Sequence, residues 1–222
     1  EGFRVKGKLV KLEVVAMDDR ASTDTGKEVA RQLVDSGVVA VIGHLNSGVR
    51  IAARPIYAEK NIAQLAISTN PKYTQLGLQT TFRLVANDTM QAKAIGSFSG
   101  SKFTATKYAV LDDSTPYGKD LAAGATKELL AAKKEIALKL SFDDKTREFD
   151  DLAVKIKDAG VEVIVTTLSD FQNIALLNGL KKINYTKINL LGGDTIKTTD
   201  MLKGAGIVDG LYSTSPILDA RE

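Results

Sequence analysis

Short apolar runs alternate along the chain with longer segments whose apolar residues recur at helical spacing. Runs of this kind occupy positions 9–17, 38–42, 62–67, 108–111, 136–140, 161–167 and 188–191. Strands that alternate with amphipathic helices are typical of βαβ units, which place parallel strands in one sheet. The run at 161–167 is almost unbroken in its apolar character, which favours a strand covered on both faces. The pattern therefore predicts a doubly wound α/β fold.

Local start and stop signals mark the predicted helices. Ser22 precedes the first helix as a capping residue, and Gly37 ends it. Thr115 caps a later helix that has Pro116 in its first turn, where proline costs no backbone hydrogen bond. Further helices are predicted after the strand at 38–42, at 88–99, from 149 to 160, and at 170–182.

The elements fall into two series, with a break near residues 85–90. We expect a hinge segment at this break, because the chain has no low-complexity linker there. The predicted division is a partial first lobe at 1–87, a second lobe at 88–213, and a return toward the first lobe at 214–222. A short strand at 211–213 is predicted to lead the chain back.

Composition narrows the class of protein. Hydrophobic residues make up 44% and charged residues 26% of the 222 positions, which is typical of a globular chain. The formal charge is only +3 and the lysines are scattered, so we expect no nucleic-acid partner. We also expect no direct membrane insertion, since no apolar run is long enough to span a bilayer, and the start lacks a signal-peptide pattern. The absence of cysteine excludes disulfides, thiolate nucleophiles and cysteine-ligated zinc.

Polar residues follow the predicted strands at positions where open α/β sheets bind ligands. Ser47 follows the strand at 38–42 and opens a helix, so that its hydroxyl and backbone N–H can bind a carboxylate. Thr69 follows the next strand, while Tyr117 and Asp194 follow strands of the second series. Neutral donors on one lobe and a carboxylate on the other are suited to a zwitterion.

Four motifs together carry a resemblance to a known family: VIGHLNSG at 41–48, TNP at 69–71, DDSTPYG at 112–118 and LGGD at 191–194. With them the chain resembles the branched-chain amino acid binding proteins of bacterial ABC transporters, the type I periplasmic-binding-protein group. The likeness runs along nearly all of the sequence. It implies two doubly wound parallel-sheet lobes of the Venus-flytrap kind, which close on a ligand without a cofactor or a metal.

The resemblance also implies roles for individual residues. Ser47 and Thr69 correspond to residues that bind the α-carboxylate of an amino acid. Asp194 corresponds to the partner of the α-ammonium group, and Tyr117 to the aromatic residue that covers the ligand from the second lobe.

The chain departs from the family pattern at several places. The segment before Thr69 is one residue shorter than usual, so both Ile67, through its carbonyl, and Ser68 are candidate ligand-binding residues. Leu168 stands beside Ser169 where many relatives have a tyrosine or other polar wall residue. The family also has a strand and a helix before the position of Glu1 and completes its first lobe beyond Glu222, so we expect the first lobe to be truncated at both ends.

The resemblance implies a periplasmic receptor and not an enzyme. Its ligand would be a small amino acid such as leucine, isoleucine or valine, and its partner the permease of an ABC transporter. A ligand-sensing or regulatory domain of the same fold is an alternative within this class.

Enzymatic alternatives have weaker sequence support. Ser47 does not lie in a G-x-S-x-G motif, and no base for it is evident. His44 is the single histidine and has no second histidine or cysteine with which to share a metal, so a structural role is expected. The acidic pairs at 18–19 and 112–113 leave open a small magnesium-dependent receiver or phosphotransfer domain.

Overall fold

The computed structural model describes residues 2–217. Predicted positions 218–222 of the return segment therefore lie outside the described residues. The first part of the chain contains β1 (Gly2–Val5), β2 (Lys8–Lys11), α1 (Thr23–Asp35), β3 (Ala40–Ile42), α2 (Ser47–Glu59), β4 (Ala63–Ala66), α3 (Lys72–Gln75) and β5 (Thr81–Arg83). The second part contains α4 (Asp88–Lys102), β6 (Lys107–Asp112), α5 (Pro116–Ala131), β7 (Glu135–Ser141), α6 (Asp150–Asp158), β8 (Val163–Thr166), α7 (Asp170–Lys182), β9 (Asn189–Gly192), a 3-10 helix (Asp194–Ile196), α8 (Thr199–Gly204) and β10 (Leu211–Ser213).

The second part, called lobe 2 below, is a five-stranded parallel sheet with helices on both faces. Its strand order is β10-β9-β8-β6-β7, so β8 lies in the middle. Val163 and Val165 of β8 pack on the side of α4 and α5, whereas Ile164 packs on the side of α6 and α7. This two-sided burial confirms the interpretation of the apolar run at 161–167.

The predicted helix starts are confirmed by capping hydrogen bonds. Ser22 Oγ accepts from the N–H of Thr25 at the start of α1, and Thr115 Oγ1 accepts from the N–H of Gly118 in α5. Asn87 caps α4 in the same way through the N–H of Met90. These side chains satisfy N–H groups that have no partner inside the helix.

The first part, called lobe 1 below, contains a three-stranded parallel sheet in the order β3-β4-β5 and a separate antiparallel hairpin of β1 and β2. The predicted strand at 9–17 is therefore wrong beyond Lys11. Val14 is 86% exposed, and residues 12–17 belong to no strand. A strand needs backbone hydrogen bonds to a neighbouring strand, and residues 12–17 make none with the described strands, since β3 pairs only with β4 and β2 pairs only with β1.

Residues 84–87 lead from the lobe 1 sheet to lobe 2, and residues 214–217 follow β10; the two are called the crossing segments below. The N–H of Ala86 donates to the carbonyl of Pro216 over 2.9 Å, so the segments run side by side. The predicted strand at 211–213 is present as β10, and it forms the edge of the lobe 2 sheet.

The lobes also meet directly, on one side of the space between them. Asn70 Nδ2 donates to the carbonyl of Pro116 over 3.1 Å and to Asp120 Oδ2 over 2.8 Å. Lys72 Nζ lies 2.8 Å from the same carboxylate oxygen. A side chain at Gly48 would collide with Pro116, so glycine permits this close approach.

We expect Ile164→Ala to lower the free energy of unfolding by about 2–5 kcal/mol, because it leaves a cavity in the middle of the lobe 2 sheet. Ile42→Ala is the matched control, since Ile42 is 73% exposed and the same change should cost no more than about 0.5 kcal/mol. Urea denaturation measures both. Equal losses for the two variants would contradict the assignment of the core.

Candidate functional site

A cavity of about 660 Å³ lies between the lobes, at the carboxyl ends of the parallel strands. Its volume falls within the range of small-molecule sites. Residues from both lobes line it, and the structure brings together all six residues singled out from the sequence: Ser47, Ile67, Ser68, Thr69, Tyr117 and Asp194. Their roles toward a ligand stay a prediction.

The lobe 1 wall of this cleft is built from hydroxyl groups and the start of a helix. Ser47 is the first residue of α2, and its Oγ accepts from the N–H of Asn70 over 3.3 Å. Ser68 is buried, and its Oγ has no hydrogen-bond partner in the described part of the chain. Thr69 is also buried, while Ile67 is partly exposed. The wall can therefore supply hydrogen-bond donors to an anionic group.

The lobe 2 wall centres on Asp194, the first residue of the 3-10 helix. Asp194 Oδ1 accepts from Tyr117 OH over 3.1 Å and from Gln91 Nε2 over 2.9 Å. A side chain at Gly193 would collide with the Tyr117 hydroxyl, so this glycine allows the tyrosine to reach Asp194. Burial, followed by the charges of Asp194 and Asp88, raises the pKa of Tyr117 well above its usual value. Tyr117 therefore acts as a neutral donor.

The two walls differ in charge. Five aspartates on the lobe 2 side line the cleft: Asp113, Asp143, Asp144, Asp170 and Asp194. The cavity lining contains no lysine or arginine, and within residues 2–217 none of these carboxylates lies within 4.0 Å of a basic side chain. The lobe 1 side contributes no carboxylate to the lining. The cleft is therefore polarised, with its negative side on lobe 2.

Two arginines lie buried behind the lobe 1 wall, four residues apart on α2. Arg50 is 1% exposed, and its Nη2 donates to Tyr73 OH over 3.0 Å. Its Nε and Nη1 have no hydrogen-bond partner among the described residues, and burial lowers the pKa of its guanidinium. Arg54 Nη1 donates to backbone carbonyls of Lys72 and Tyr73. Neither arginine pairs with a carboxylate in residues 2–217, so both add positive charge to lobe 1.

Asp88 and Gln91, at the start of α4, were missed by the sequence interpretation. Gln91 Nε2 donates to Asp88 Oδ1 over 3.1 Å as well as to Asp194, and Thr214 Oγ1 donates to Gln91 Oε1 over 2.5 Å. Burial raises the pKa of Asp88 to about 6; hydrogen bonds from Thr69 and Gln91 oppose this rise, and the charge of Asp194 adds to it. The signal available in the sequence was an acid and an amide three residues apart in one helical turn.

Leu168 does not occupy the place expected for it. Its side chain is fully buried in the core of lobe 2, so the prediction that it forms a cleft wall is wrong. Ser169 and Asp170 line the cleft instead. The chain turns at this point because Leu168 N–H donates to Thr166 Oγ1, and the Leu168 carbonyl accepts from Thr195 Oγ1.

The single histidine and the acidic pairs have local hydrogen-bond partners. His44 Nδ1 lies 2.6 Å from Asp19 Oδ2, and its Nε2 lies 3.0 Å from Tyr57 OH, inside lobe 1. Asp112 and Asp113 accept from the backbone N–H groups of the turn that follows them. Between residues 2 and 217, no cluster of three or more histidine, cysteine, aspartate or glutamate residues is arranged to hold a metal ion. No helix in that range has the length and apolar character needed to cross a membrane.

Curated relatives of the chain are amino acid binding proteins. The Leu/Ile/Val-binding protein homolog 1 of Brucella abortus (strain 2308) is 38% identical over 157 residues, which are 69% of this chain and 42% of the relative. A leucine-, isoleucine-, valine-, threonine- and alanine-binding protein of Pseudomonas aeruginosa is 30% identical over 154 residues, 69% of this chain and 41% of the relative. The chain thus spans less than half the length of these relatives.

Solved structures share the fold. The leucine binding protein LivK of Thermotoga maritima has a TM-score of 0.81 at 21% identity, covering 87% of this chain and 55% of that one. The branched-chain amino acid transporter substrate binding protein LivJ of Streptococcus pneumoniae, solved with isoleucine, has a TM-score of 0.83 at 22% identity, covering 97% and 63%. A family described as periplasmic binding protein matches residues 2–221, which confirms the resemblance found in the motifs. The chain belongs to the periplasmic binding protein family.

Proposed function

We propose that the protein is an extracytoplasmic receptor that binds a small amino acid in the interlobe cleft for uptake by an ABC transporter. The observation that carries this proposal is the polarity of the cleft. Hydroxyl donors and a helix start lie on lobe 1, and carboxylates that pair with no basic side chain of residues 2–217 lie on lobe 2. A zwitterion complements both walls at once, whereas an anion or an apolar molecule complements at most one of them.

The α-carboxylate of the ligand is assigned to lobe 1. Ser47 and Thr69 supply hydroxyl groups, and the unpartnered Oγ of Ser68 can donate a further hydrogen bond. The start of α2 carries a partial positive charge, which favours an anion there by about 0.3–1 kcal/mol or more when partly buried. Arg50 and Arg54 add positive charge from behind without occupying the site.

The α-ammonium group is assigned to Asp194. Its Oδ1 already accepts two hydrogen bonds, while its Oδ2 accepts none from residues 2–217. Oδ2 is therefore the acceptor left for a cation. The carbonyl of Ile67, on the opposite wall, is the candidate for a second ammonium contact.

The ligand side chain is assigned to the apolar part of the lining. This part consists of Ala21, Leu45, Val49, Ile67, Pro116 and Tyr117. Apolar residues of this kind select ligands by the size of their side chain, and each methylene group that the ligand buries contributes about 0.8 kcal/mol to the free energy of binding. Together with the branched-chain ligands in the names of the relatives, this makes leucine, isoleucine and valine the first ligands to test.

Ligand contacts with both lobes would favour a closed arrangement that a membrane permease can recognise. A ligand shifts the equilibrium between an open and a closed arrangement only if it binds one of them more tightly. A molecule that contacts both walls binds the closed arrangement more tightly, because the walls are then closer together. The paired crossing segments at Ala86 and Pro216 are the place where a hinge motion would occur. This role needs no chemical step at the site, in keeping with a receptor in the periplasm and not an enzyme.

We expect Asp194→Asn to weaken the binding of leucine by roughly tenfold to a hundredfold, the size of a lost hydrogen bond to a charged group. Isothermal titration calorimetry with a panel of amino acids measures the effect. Asp200→Asn is the control, because it removes an exposed aspartate of the same lobe that does not line the cleft. If no α-amino acid binds, or if Asp194→Asn binds leucine like the unchanged protein, the proposal fails.

We expect the affinity for leucine to rise between about pH 5 and about pH 7. An ammonium group beside Asp194 favours the ionised form of Asp88, whose pKa is about 6 without ligand. Ligand binding should therefore release a proton near pH 6. Calorimetry in buffers of different ionisation enthalpy detects this proton. Asp88→Asn should abolish the release and Asp200→Asn should preserve it, whereas proton release from both variants would contradict the role of Asp88.

A further inference from the structure

Gln91 is a buried amide that contacts the candidate ammonium site without lining the cleft. It lies one turn into α4, and its side chain donates a hydrogen bond to Asp194, which lies 103 residues further along the chain. The sequence interpretation gave it no role. None of its contacts is needed for the lobe 2 core, which is built from apolar side chains.

Every hydrogen-bonding group of the Gln91 side chain is in use. A glutamine side chain has two N–H donors and one carbonyl acceptor. Its Nε2 donates to Asp88 Oδ1 and to Asp194 Oδ1, and its Oε1 accepts from Thr214 Oγ1. The amide orientation is therefore fixed, because a flipped amide would place its carbonyl oxygen against two carboxylates.

The contact with Asp194 decides which carboxylate oxygen is available. Gln91 and Tyr117 both donate to Oδ1, and this holds the carboxylate in one rotation about its Cβ–Cγ bond. Oδ2 then receives no hydrogen bond from residues 2–217. Loss of the Gln91 donor leaves Tyr117 alone to orient the group, and a single donor restrains it less.

The other two contacts join this site to the crossing segments. Asp88 directly follows the segment 84–87, and its N–H donates to the carbonyl of Thr69 over 2.9 Å. Thr214 begins the segment 214–217, and its N–H donates to the carbonyl of Gly192 over 3.0 Å. One side chain thus contacts the residues at which both segments meet lobe 2.

We propose that Gln91 is the positioning residue of the ammonium site, and that it transmits the occupancy of Asp194 to both crossing segments. The inference rests on the proposed function, since it requires that an ammonium group binds at Asp194. If Gln91 has this role, its loss weakens the binding of ligands that carry an ammonium group more than the binding of ligands that lack one. The loss of a purely structural amide would weaken the binding of both equally.

The experiment compares L-leucine with isocaproate, which is leucine without its ammonium group. We expect Gln91→Leu to weaken leucine binding by about tenfold and to leave isocaproate binding little changed. Hydrogen exchange should also show that leucine slows the amides of Ala86 and Thr214 in the unchanged protein but not in Gln91→Leu. Gln64→Leu is the matched control, because Gln64 is an equally buried amide that does not line the cleft and contacts Arg54, Tyr73 and Thr80 in lobe 1. Both ligands carry the carboxylate that faces lobe 1, so any loss in this control should be the same for leucine and isocaproate.

A second variant keeps the test decisive if Gln91→Leu folds poorly. Gln91→Met keeps the length and flexibility of the side chain, so it can fill the same space, but it has no N–H group to donate to Asp194. We expect this variant to weaken leucine binding by about tenfold and to leave isocaproate binding little changed.

The outcomes separate the two proposals. If the unchanged protein binds no amino acid, the proposed function is wrong and the inference falls with it. If the unchanged protein binds leucine, equal losses for leucine and isocaproate in Gln91→Leu, or in Gln91→Met where Gln91→Leu does not fold, overturn the role of Gln91 alone.

Discussion

The geometry of the cleft depends on the side chain of Asn70. This residue lies in the lobe 1 loop between β4 and α3 and is fully buried, and all the polar groups of its side chain have hydrogen-bond partners. Its two amide hydrogens join lobe 1 to Pro116 and Asp120 at the start of α5. Burial disfavours the charge of Asp120, but hydrogen bonds from Lys72 and Asn70 outweigh this effect and lower its pKa. These contacts join the lobes beside the cavity, which Thr69 lines from lobe 1 and Asp194 lines from lobe 2.

Besides the contacts of Asn70, the cleft depends on the separation of charge between its two walls. Like charges that line one wall repel each other, and buried charges without partners destabilise a fold. Burial is the largest cause of the raised pKa of Asp113, and the charges of Asp112 and Asp144 raise it further. On the other side, Arg50 keeps nitrogen atoms without hydrogen bonds among the described residues. Ionisable groups with perturbed pKa values cluster at functional sites, and these lie in or directly behind the two walls of the cleft.

Much of this arrangement could be predicted from the sequence, for identifiable reasons. Capping by Ser22 and Thr115 is local chemistry, and it is visible in a few consecutive residues. The meeting of Ser47, Thr69 and Asp194 follows from parallel strands, whose carboxyl ends share one edge of each sheet. Gln91 and Asn70 could not be predicted in this way, because their roles depend on partners 46 to 123 residues away. The position of Leu168 was predicted wrongly, because the turn after β8 places Ser169 and Asp170 at the cleft and Leu168 in the core of lobe 2.

The strand pattern at 9–17 failed for a different reason: a strand requires a neighbour, and this depends on the whole sheet. Because residues 12–17 form no strand, one edge of β3 is unpaired among the described residues; Ile42 in this strand is 73% exposed, and Val39, which precedes it, is 85% exposed. Unpaired backbone groups flanked by apolar side chains are a template for intermolecular β-pairing. If copies of this chain associate through strand pairing, we therefore expect the open edge of β3 in lobe 1 to be where a second chain adds its strand.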